Sequence, residues 1–299
     1  MLTLFCIPKA FQGRTAALQR NALASWTRLE AGVEILVFGN DAGVGEAAAA
    51  IGARHVPDVA RNEYGTPLLS SLFEQAQRIA AHDALCYVNS DIALLSDFLP
   101  AVSHVAGGER RFLIGGQRWD IDMPDDWRVG APGWEDVLRT LVRNSGRLQG
   151  PQAIDYFVFR RGLYPRVPPF AIGRTAWDNW LLLDAWRSGA VVVDATAAIT
   201  AIHFNHDYSH AGGRKRVFDG PEAVRNHELL CDSVFSLAHA SHVLSDGGLE
   251  KKRRGIGHHL DLVGFRYPPL LPITLALREP KRLLRRLRRS LNRPDAPSR

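Results

Sequence analysis

Carboxylate, amide and hydroxyl groups follow an apolar run over residues 84–88 of this 299-residue chain, in the segment Asn89-Ser90-Asp91. A carboxylate at the end of a buried strand can hold Mg²⁺ or Mn²⁺, and the metal ion can bridge to a diphosphate. The same tripeptide is also typical of a turn in which Asp91 caps the next segment. A divalent-metal site and a simple turn are both open at this position.

Histidines are concentrated between His203 and His210, where three of them and one aspartate fall within eight residues. Imidazole is a common ligand of transition metals, so His203 and His206 are candidate metal ligands. Arg214 and Lys215 follow closely, and such cations can close over phosphate groups. A solvated surface loop is the alternative interpretation of this segment.

Two further carboxylates are candidates for catalysis. Asp178 lies between Trp177 and Trp180, and a partly buried carboxyl group beside indole rings has a raised pKa that suits a general base. Asp178 also stands three residues after Thr175, a spacing that predicts a capping box at a helix N-terminus. Asp155 precedes an apolar strand and is a candidate for contact with a substrate hydroxyl, or else an exposed residue at the edge of a strand.

The elements that position these residues alternate between strand and helix. Residues 2–7, 33–38, 54–57 and 84–88 have strand patterns, and 14–29, 44–51 and 67–82 have helical ones. This alternation predicts a parallel sheet with right-handed crossovers, in which ligands bind beyond the carboxyl ends of the strands.

Three polar segments fall at the carboxyl ends of these predicted strands. They are Pro8-Lys9, Asn40-Asp41 and Asn89-Ser90-Asp91. Arg61 and Asn62 lie in the polar loop before the third helix and are candidates for binding a base or a phosphate. An ordinary loop between strand and helix is the alternative there.

The second half of the chain is less regular. Its patterns predict strands over 111–115, 154–159, 190–193 and 200–204, helices over 134–144 and 175–188, and a long loop over 117–135. Because no linker rich in Pro, Gly or Ser divides the chain, we expect one domain with a nucleotide-binding half and an acceptor half.

Four segments, taken in order, resemble those of GT-A nucleotide-sugar glycosyltransferases of the bacterial surface-polysaccharide type. They are Ile7-Pro8-Lys9, Phe38-Gly39-Asn40-Asp41, the stretch 61–67 and the stretch 87–91. The similarity covers about residues 1–210, and Asn89-Ser90-Asp91 stands where that family carries its Asp-x-Asp motif.

The resemblance implies a single α/β domain of the GT-A (Rossmann-like) type, with a mainly parallel central sheet flanked by helices. We expect this domain over residues 1–265, with a nucleotide-binding half over 1–110 and an acceptor half over 111–265. A Pro-containing linker and a C-terminal basic amphipathic helix are expected over 266–299.

The function implied by the resemblance is transfer of a sugar from a nucleoside diphosphate to a hydroxyl of a glycan or lipid-linked acceptor, with Mn²⁺ or Mg²⁺. Asp91 with His203 or His206 would bind the metal, and Asp178 or Asp155 would face the acceptor. Asn89 replaces the family's first aspartate, and an amide weakens metal affinity relative to a carboxylate. The implied nucleotide-sugar residues are Pro8, Lys9, Asp41, Arg61, Asn62, Asn89, Ser90, Asp91, Arg214 and Lys215.

Two other classes of protein remain open. A metal-dependent hydrolase built on the segment 203–210 would need His203 and His206 but not Asp91. A non-catalytic adaptor at a membrane surface would need the C-terminal tail and no residue of the cleft. A nucleic-acid binder is disfavoured, because the Arg-rich segment has no interleaved aromatic residues.

The net charge of +6 comes from the C-terminal segment 278–299, which carries nine basic and two acidic residues, whereas the other 277 residues carry 28 and 29. Its leucines share one helical face, which predicts a basic amphipathic helix for an anionic membrane surface, with a solvated tail as the alternative. The chain has three cysteines without a Cys-x-x-Cys pair, no signal-peptide pattern and no apolar run of about 20 residues. These features predict a cytoplasmic protein, and the basic tail predicts a peripheral location on the inner face of the plasma membrane.

Overall fold

The computed structural model describes residues 1–30, 32–124, 127–205, 214–230, 235–253, 255–270 and 273, without the side chains of 214–216 and of several residues after 255. The chain divides into two compact units, Met1–Lys252 and Arg253–Arg299. His206, the side chains of Arg214 and Lys215, and the predicted tail helix lie outside the described residues.

Within the described residues of the first unit, thirteen strands form two sheets. In chain order the strands are β1 (Leu2–Cys6), β2 (Glu34–Phe38), β3 (Arg54–Val56), β4 (Ala84–Val88), β5 (Ile92–Leu94), β6 (Phe112–Gly115), β7 (Arg118–Ile121), β8 (Arg147–Leu148), β9 (Tyr156–Arg160), β10 (Val191–Asp194), β11 (Ala201–Phe204), β12 (His242–Ser245) and β13 (Gly248–Lys251). The α-helices described in this unit are α1 (Gly13–Trp26), α2 (Val44–Ala50), α3 (Leu69–Ile79), α4 (Phe98–Gly108), α5 (Trp134–Ser145), α6 (Trp177–Arg187), α7 (Arg214–Asp219) and α8 (Pro221–Leu230). A short 3-10 helix spans Leu237–His239.

The second unit contains helix α9 (Ile256–Arg266) and a short 3-10 helix, Pro268–Leu270. Among the residues that the structure describes, no helix has the length and apolar character needed to cross a membrane.

The larger sheet has nine strands in the order β13-β12-β10-β6-β9-β4-β1-β2-β3. Its central strands are continuous apolar runs because helices cover both faces of the sheet, as the burial of every residue of β1 shows. The pairings are parallel except at β9, which runs antiparallel between β4 and β6, and at the edge strand β13. The predicted α/β fold with a mainly parallel central sheet is therefore confirmed.

The smaller sheet has the order β5-β11-β7-β8. Its strand β7 lies inside the region 117–135, so the prediction of an uninterrupted loop there is wrong. The sequence Arg118-Trp119-Asp120-Ile121 has no continuous apolar run. Only Ile121 is buried, and the other three residues are half-buried. The strand is stabilised by its pairing with β11 and β8 instead of by a local apolar pattern.

Helix α1 connects the two sheets through its buried face. The indole Nε1 of Trp26 donates to the backbone oxygen of Ile92 at 2.9 Å, and the backbone N of Leu94 donates to Ser25 Oγ at 3.1 Å. Both contacts hold β5, which begins directly after the Asn89-Ser90-Asp91 segment. The position of that segment therefore depends on α1 as well as on β4.

Two predicted helix starts differ from the structure. The helix predicted from Pro67 begins at Leu69, because Pro67 and Leu68 pair with the segment 171–172. The predicted capping box of Thr175 and Asp178 is wrong, since α6 begins at Trp177 after Ala176, whose φ of 85° is left-handed. The Thr175 hydroxyl lies 3.1 Å from His227 Nε2 instead.

Candidate active site

The carboxyl ends of β1 and β4 and the amino end of β9 border a cavity of about 400 Å³. Its polar lining includes Lys9, Asn89, Asp91, Arg118, Asp155, Arg174, Asp178 and His203. Its apolar lining includes Ile154, Trp177, Val217 and Phe218. Charged groups and apolar surface in one concave space are typical of a small-molecule site.

The loops after β1 and β4 are joined by the buried side chain of Gln19 in α1. Its Oε1 accepts hydrogen bonds from the backbone N of Lys9 and from Ser90 Oγ, both at 2.8 Å, and its Nε2 donates to the oxygen of Lys9 at 2.9 Å. This arrangement leaves Lys9 Nζ 3.8 Å from Asp91 Oδ2. Sequence reasoning missed Gln19, although a glutamine beside the predicted apolar stripe of the helix was an available signal.

The smaller sheet brings Asp91 and His203 together. Strand β11 pairs with β5 so that His203 stands opposite Ile92, the residue after Asp91. The Nε2 atom of His203 lies 3.9 Å from Asp91 Oδ2. One carboxylate and one imidazole therefore meet beside the Lys9 ammonium group, although the two residues are far apart in the sequence.

Arg118 and Asp120 of β7 complete this polar cluster. The Nε of Arg118 lies 2.9 Å from Asp120 Oδ1, and the same oxygen lies 3.1 Å from His203 Nδ1. Burial acts to raise the pKa of Asp120, but the contact with His203 and the charge of Arg118 outweigh it and hold that pKa below its usual value. Neither residue was predicted, because both lie in the segment that the sequence pattern assigned to a loop.

Asn89 is held at both ends of its amide by neighbouring side chains. Its Oδ1 accepts from the hydroxyl of Tyr87 at 2.9 Å, and its Nδ2 donates to Asp155 Oδ1. The other oxygen of Asp155 lies 2.6 Å from Arg118 Nη1. The antiparallel pairing of β4 with β9 creates this contact by placing Val88 opposite Tyr156. Asn89 thus orients Asp155, and an amide suits that role better than a carboxylate would.

Asp178 lies in the first turn of α6 and lines the same cavity. Its Oδ1 accepts a hydrogen bond from the backbone N of Asn179 at 2.9 Å. Desolvation by burial, with a smaller contribution from the negative charge of Asp155, raises the pKa of Asp178 to about 7 despite this hydrogen bond. A carboxyl group with this pKa can accept and release a proton near neutral pH.

A buried ion pair anchors the chain just before α6. Arg174 Nη2 lies 2.6 Å from Glu222 Oε2 of α8, and the side chains are 10% and 3% exposed. Asn226 of the same helix bonds the backbone oxygens of Ala171 and Thr175, each at 3.0 Å. Helix α8 therefore fixes the segment that leads to Asp178.

The structure brings some of the predicted site residues together in the cavity and places others elsewhere. Lys9, Asn89, Asp91, Asp155, Asp178 and His203 line the cavity, and Pro8 and Ser90 adjoin these residues in the chain. Arg61 does not line it and instead lies 3.0 Å from Asp41, while Asn62 donates to Glu222 at 2.7 Å. The side chains of Arg214, Lys215 and His206 lie outside the described residues.

Within the described part of the chain, no group of three or more His, Cys, Asp or Glu side chains is arranged to hold a metal ion. Asp91 and His203 are nevertheless a carboxylate and an imidazole 3.9 Å apart. Both are donor types that Mn²⁺ accepts, and a pair at this distance can share one ion whose other ligands come from substrate and water. The donor set therefore fits a divalent cation.

No protein-family model matches the sequence, and no curated protein matches it either. Among solved structures, the chain is similar to S. aureus TarS 1–349 in complex with UDP-GlcNAc, with a TM-score of 0.51 and 9% identity over 89% of this chain and 71% of that one. It is also similar to glucosyl-3-phosphoglycerate synthase from Mycobacterium tuberculosis in complex with Mn²⁺, UDP and phosphoglyceric acid, with a TM-score of 0.47 and 17% identity over 77% and 78%. At 9% identity the likeness to TarS concerns the fold alone, and that fold agrees with the predicted GT-A type of architecture.

Replacing Asn89 by Asp tests the role of this residue. The substitution removes the donor to Asp155 and places a second carboxylate beside it, so we expect the free energy of unfolding to fall by about 1–3 kcal/mol at pH 8. Repulsion raises the pKa of the pair above that of an isolated carboxyl. The loss should therefore shrink at pH 5, where the two groups share a proton.

Urea unfolding of wild type and variants at both pH values measures this effect. Asn89→Ala is the matched control, because it removes the same hydrogen bonds without adding charge, and its loss should be the same at pH 5 and pH 8. An Asn89→Asp variant as stable as wild type at pH 8 would contradict the assigned contact.

Proposed function

We propose that this protein is a nucleotide-sugar-dependent glycosyltransferase that acts on a hydroxyl group of its acceptor. The observation that carries the proposal is the presence of two sets of groups in one cavity of a GT-A fold. Lys9, Asp91 and His203 suit a diphosphate with its metal ion, and Asp178 has the pKa of a general base at neutral pH.

In the proposed reaction, the acceptor hydroxyl gives its proton to the Asp178 carboxylate as its oxygen attacks the anomeric carbon. The bond between that carbon and the diphosphate oxygen breaks, and the nucleoside diphosphate leaves with the bonding electrons. Attack from the side opposite the leaving group inverts the anomeric centre. Asp178 ends the step protonated and returns its proton to water.

Asp91 and His203 would hold the Mn²⁺ or Mg²⁺ ion, and Lys9 would contribute a further positive charge beside the diphosphate. When bound, such an ion stabilises the negative charge that develops on the leaving group. Arg214 and Lys215 are proposed to reach the same phosphates. Their sequence positions support this role, eleven and twelve residues after His203.

Asp155 is less suited to act as the base. Its two oxygens already interact with the amide of Asn89 and the guanidinium of Arg118, and those contacts fix the orientation of the carboxylate. We propose that Asp155 orients the acceptor or the donor sugar and that Asp178 takes the proton. The two predicted catalytic carboxylates thereby have separate roles.

The acceptor is proposed to be a glycan or a lipid-linked sugar at the cytoplasmic face of a membrane. The proposal rests on the basic tail 278–299, whose leucines recur on one helical face beside arginines. A peripheral enzyme of this kind would meet its acceptor at the lipid surface.

The pH dependence of turnover tests the role of Asp178. The base must be ionised, so kcat/KM should rise with pH through a pKa of about 7 and then level off. Asp178→Asn should lower kcat by about 10²–10⁴-fold because it removes the proton acceptor, with little change in donor KM. Release of UDP from a panel of UDP-sugars, with water as the acceptor, provides the assay.

Asp184→Asn is the matched control for this test, because Asp184 lies in the same helix and does not line the cavity. It should leave both kcat and the pH profile unchanged. Full activity of Asp178→Asn, or a flat wild-type profile between pH 5 and pH 8, would rule out this base. Turnover that survives Asp91→Ala but not His203→Ala would favour the metal-dependent hydrolase.

Membrane docking is tested by sedimentation with lipid vesicles. The full chain should sediment with phosphatidylserine-containing vesicles and not with neutral phosphatidylcholine vesicles, because the tail charge is attracted to anionic headgroups. A chain ending at residue 277 should stay in the supernatant with both. Equal sedimentation of the two proteins would remove the support for a membrane acceptor.

A further inference from the structure

Asp120 stands directly beside His203 because of strand register. Strands β7 and β11 run parallel, and their pairing places Asp120 against His203. The Oδ1 atom of Asp120 lies 3.1 Å from His203 Nδ1, and both side chains are largely buried, at 18% and 10% exposed. The contact is therefore fixed by backbone geometry and shielded from water.

The proton in this contact can be placed from the neighbouring guanidinium. Arg118 Nε donates to the same Oδ1 atom of Asp120 at 2.9 Å. Arginine is always protonated in proteins and favours its partner as a carboxylate, which has no proton to donate. Since the Asp120 carboxylate can only accept, a proton on His203 Nδ1 is the arrangement that suits the 3.1 Å approach of the two atoms.

This placement determines the other ring nitrogen. A neutral imidazole carries a single proton, so a proton on Nδ1 leaves Nε2 with its lone pair. The Nε2 atom faces Asp91, at 3.9 Å from Oδ2. A lone pair directed toward the Asp91 carboxylate, in the cavity that both share with Lys9, is suited to bind a cation.

We propose that Asp120 is the positioning residue that fixes His203 as the Nδ1–H tautomer and so presents Nε2 to a divalent cation shared with Asp91. A carboxylate behind a metal-binding histidine both orients the ring and strengthens it as a ligand. The cation part of this inference rests on the proposed function, whereas the tautomer part does not.

Arg118 gives the arrangement its stability. Its Nη1 lies 2.6 Å from Asp155 and its Nε contacts Asp120, so one guanidinium holds two carboxylates in fixed directions. The Oδ1 atom of Asp120 already contacts Arg118 Nε and His203 Nδ1. Asp120 therefore acts through His203 and is not itself a ligand in this proposal.

Nuclear magnetic resonance of the full chain labelled with ¹⁵N-histidine measures the tautomer at pH 8, with His203→Gln to assign the ring signals. Wild type should show a protonated Nδ1 at His203. Asp120→Ala should shift the signals toward the Nε2–H form, and Asp120→Asn, whose amide oxygen can still accept from Nδ1, should largely retain the wild-type pattern. A merely structural role for Asp120 would leave the tautomer unchanged.

Titration calorimetry with Mn²⁺ alone is the second measurement. Asp120→Ala should weaken Mn²⁺ binding by about 10- to 100-fold, the effect expected when the partner of a metal-binding histidine is removed. Asp120→Asn should lie between this variant and wild type. Asp122→Ala is the matched control, since this exposed carboxylate contacts Asn205 at 3.0 Å and does not line the cavity.

An unchanged Nδ1–H signal in Asp120→Ala, or Mn²⁺ affinity within twofold of wild type, would overturn the inference. The two proposals fail separately. Wild-type turnover of a nucleotide sugar with no Mn²⁺ binding would end the cation assignment and leave the proposed function standing. Tautomer and affinity changes in a protein that turns over no nucleotide sugar would support Asp120 and end the proposed function.

Discussion

The pairing of β11 between β5 and β7 is the constraint on which the cavity depends. It sets His203 beside Asp120 on one side and beside the residue after Asp91 on the other. These groups come from three distant parts of the chain, and the short sheet β5-β11-β7-β8 brings them together. Trp26 and Ser25 of α1 anchor β5, so this sheet is positioned by the core of the larger one.

Strand β9 supplies the second link between the sheets. Because it runs antiparallel beside β4, its first residues meet the last residues of β4, and Asp155 reaches Asn89. Arg118 joins Asp155 to Asp120 across the gap between the two sheets. GT-A glycosyltransferases carry an aspartate at the position of Asn89. The amide suits its surroundings here, because a carboxylate at this position would face the carboxylate of Asp155.

The strands at the centre of the larger sheet were predictable because they are mainly apolar runs followed by polar residues, as in β1 and β4. The strands β12 and β13 were not predicted, since His242–Ser245 and Gly248–Lys251 have no such run. The cluster around His203 was only partly predictable. Local patterns indicate Asp91 and His203, but β7 has only four residues, lies in a segment rich in Trp, Asp, Pro and Gly, and gains its stability from long-range pairing. The capping box at Thr175 failed for a related reason, since the left-handed Ala176 and the contacts of α8 with the preceding segment determine where α6 begins.

The central claim is that Lys9, Asp91 and His203 form the binding site for the diphosphate of a nucleotide sugar. Calorimetric titration of UDP into the full chain in the presence of Mn²⁺, for wild type and for Asp91→Asn, tests this claim most directly. We expect saturable binding of UDP by wild type that requires Mn²⁺ and is weakened at least tenfold by the substitution. Absence of UDP binding in wild type, or equal affinity of the two proteins, would contradict it.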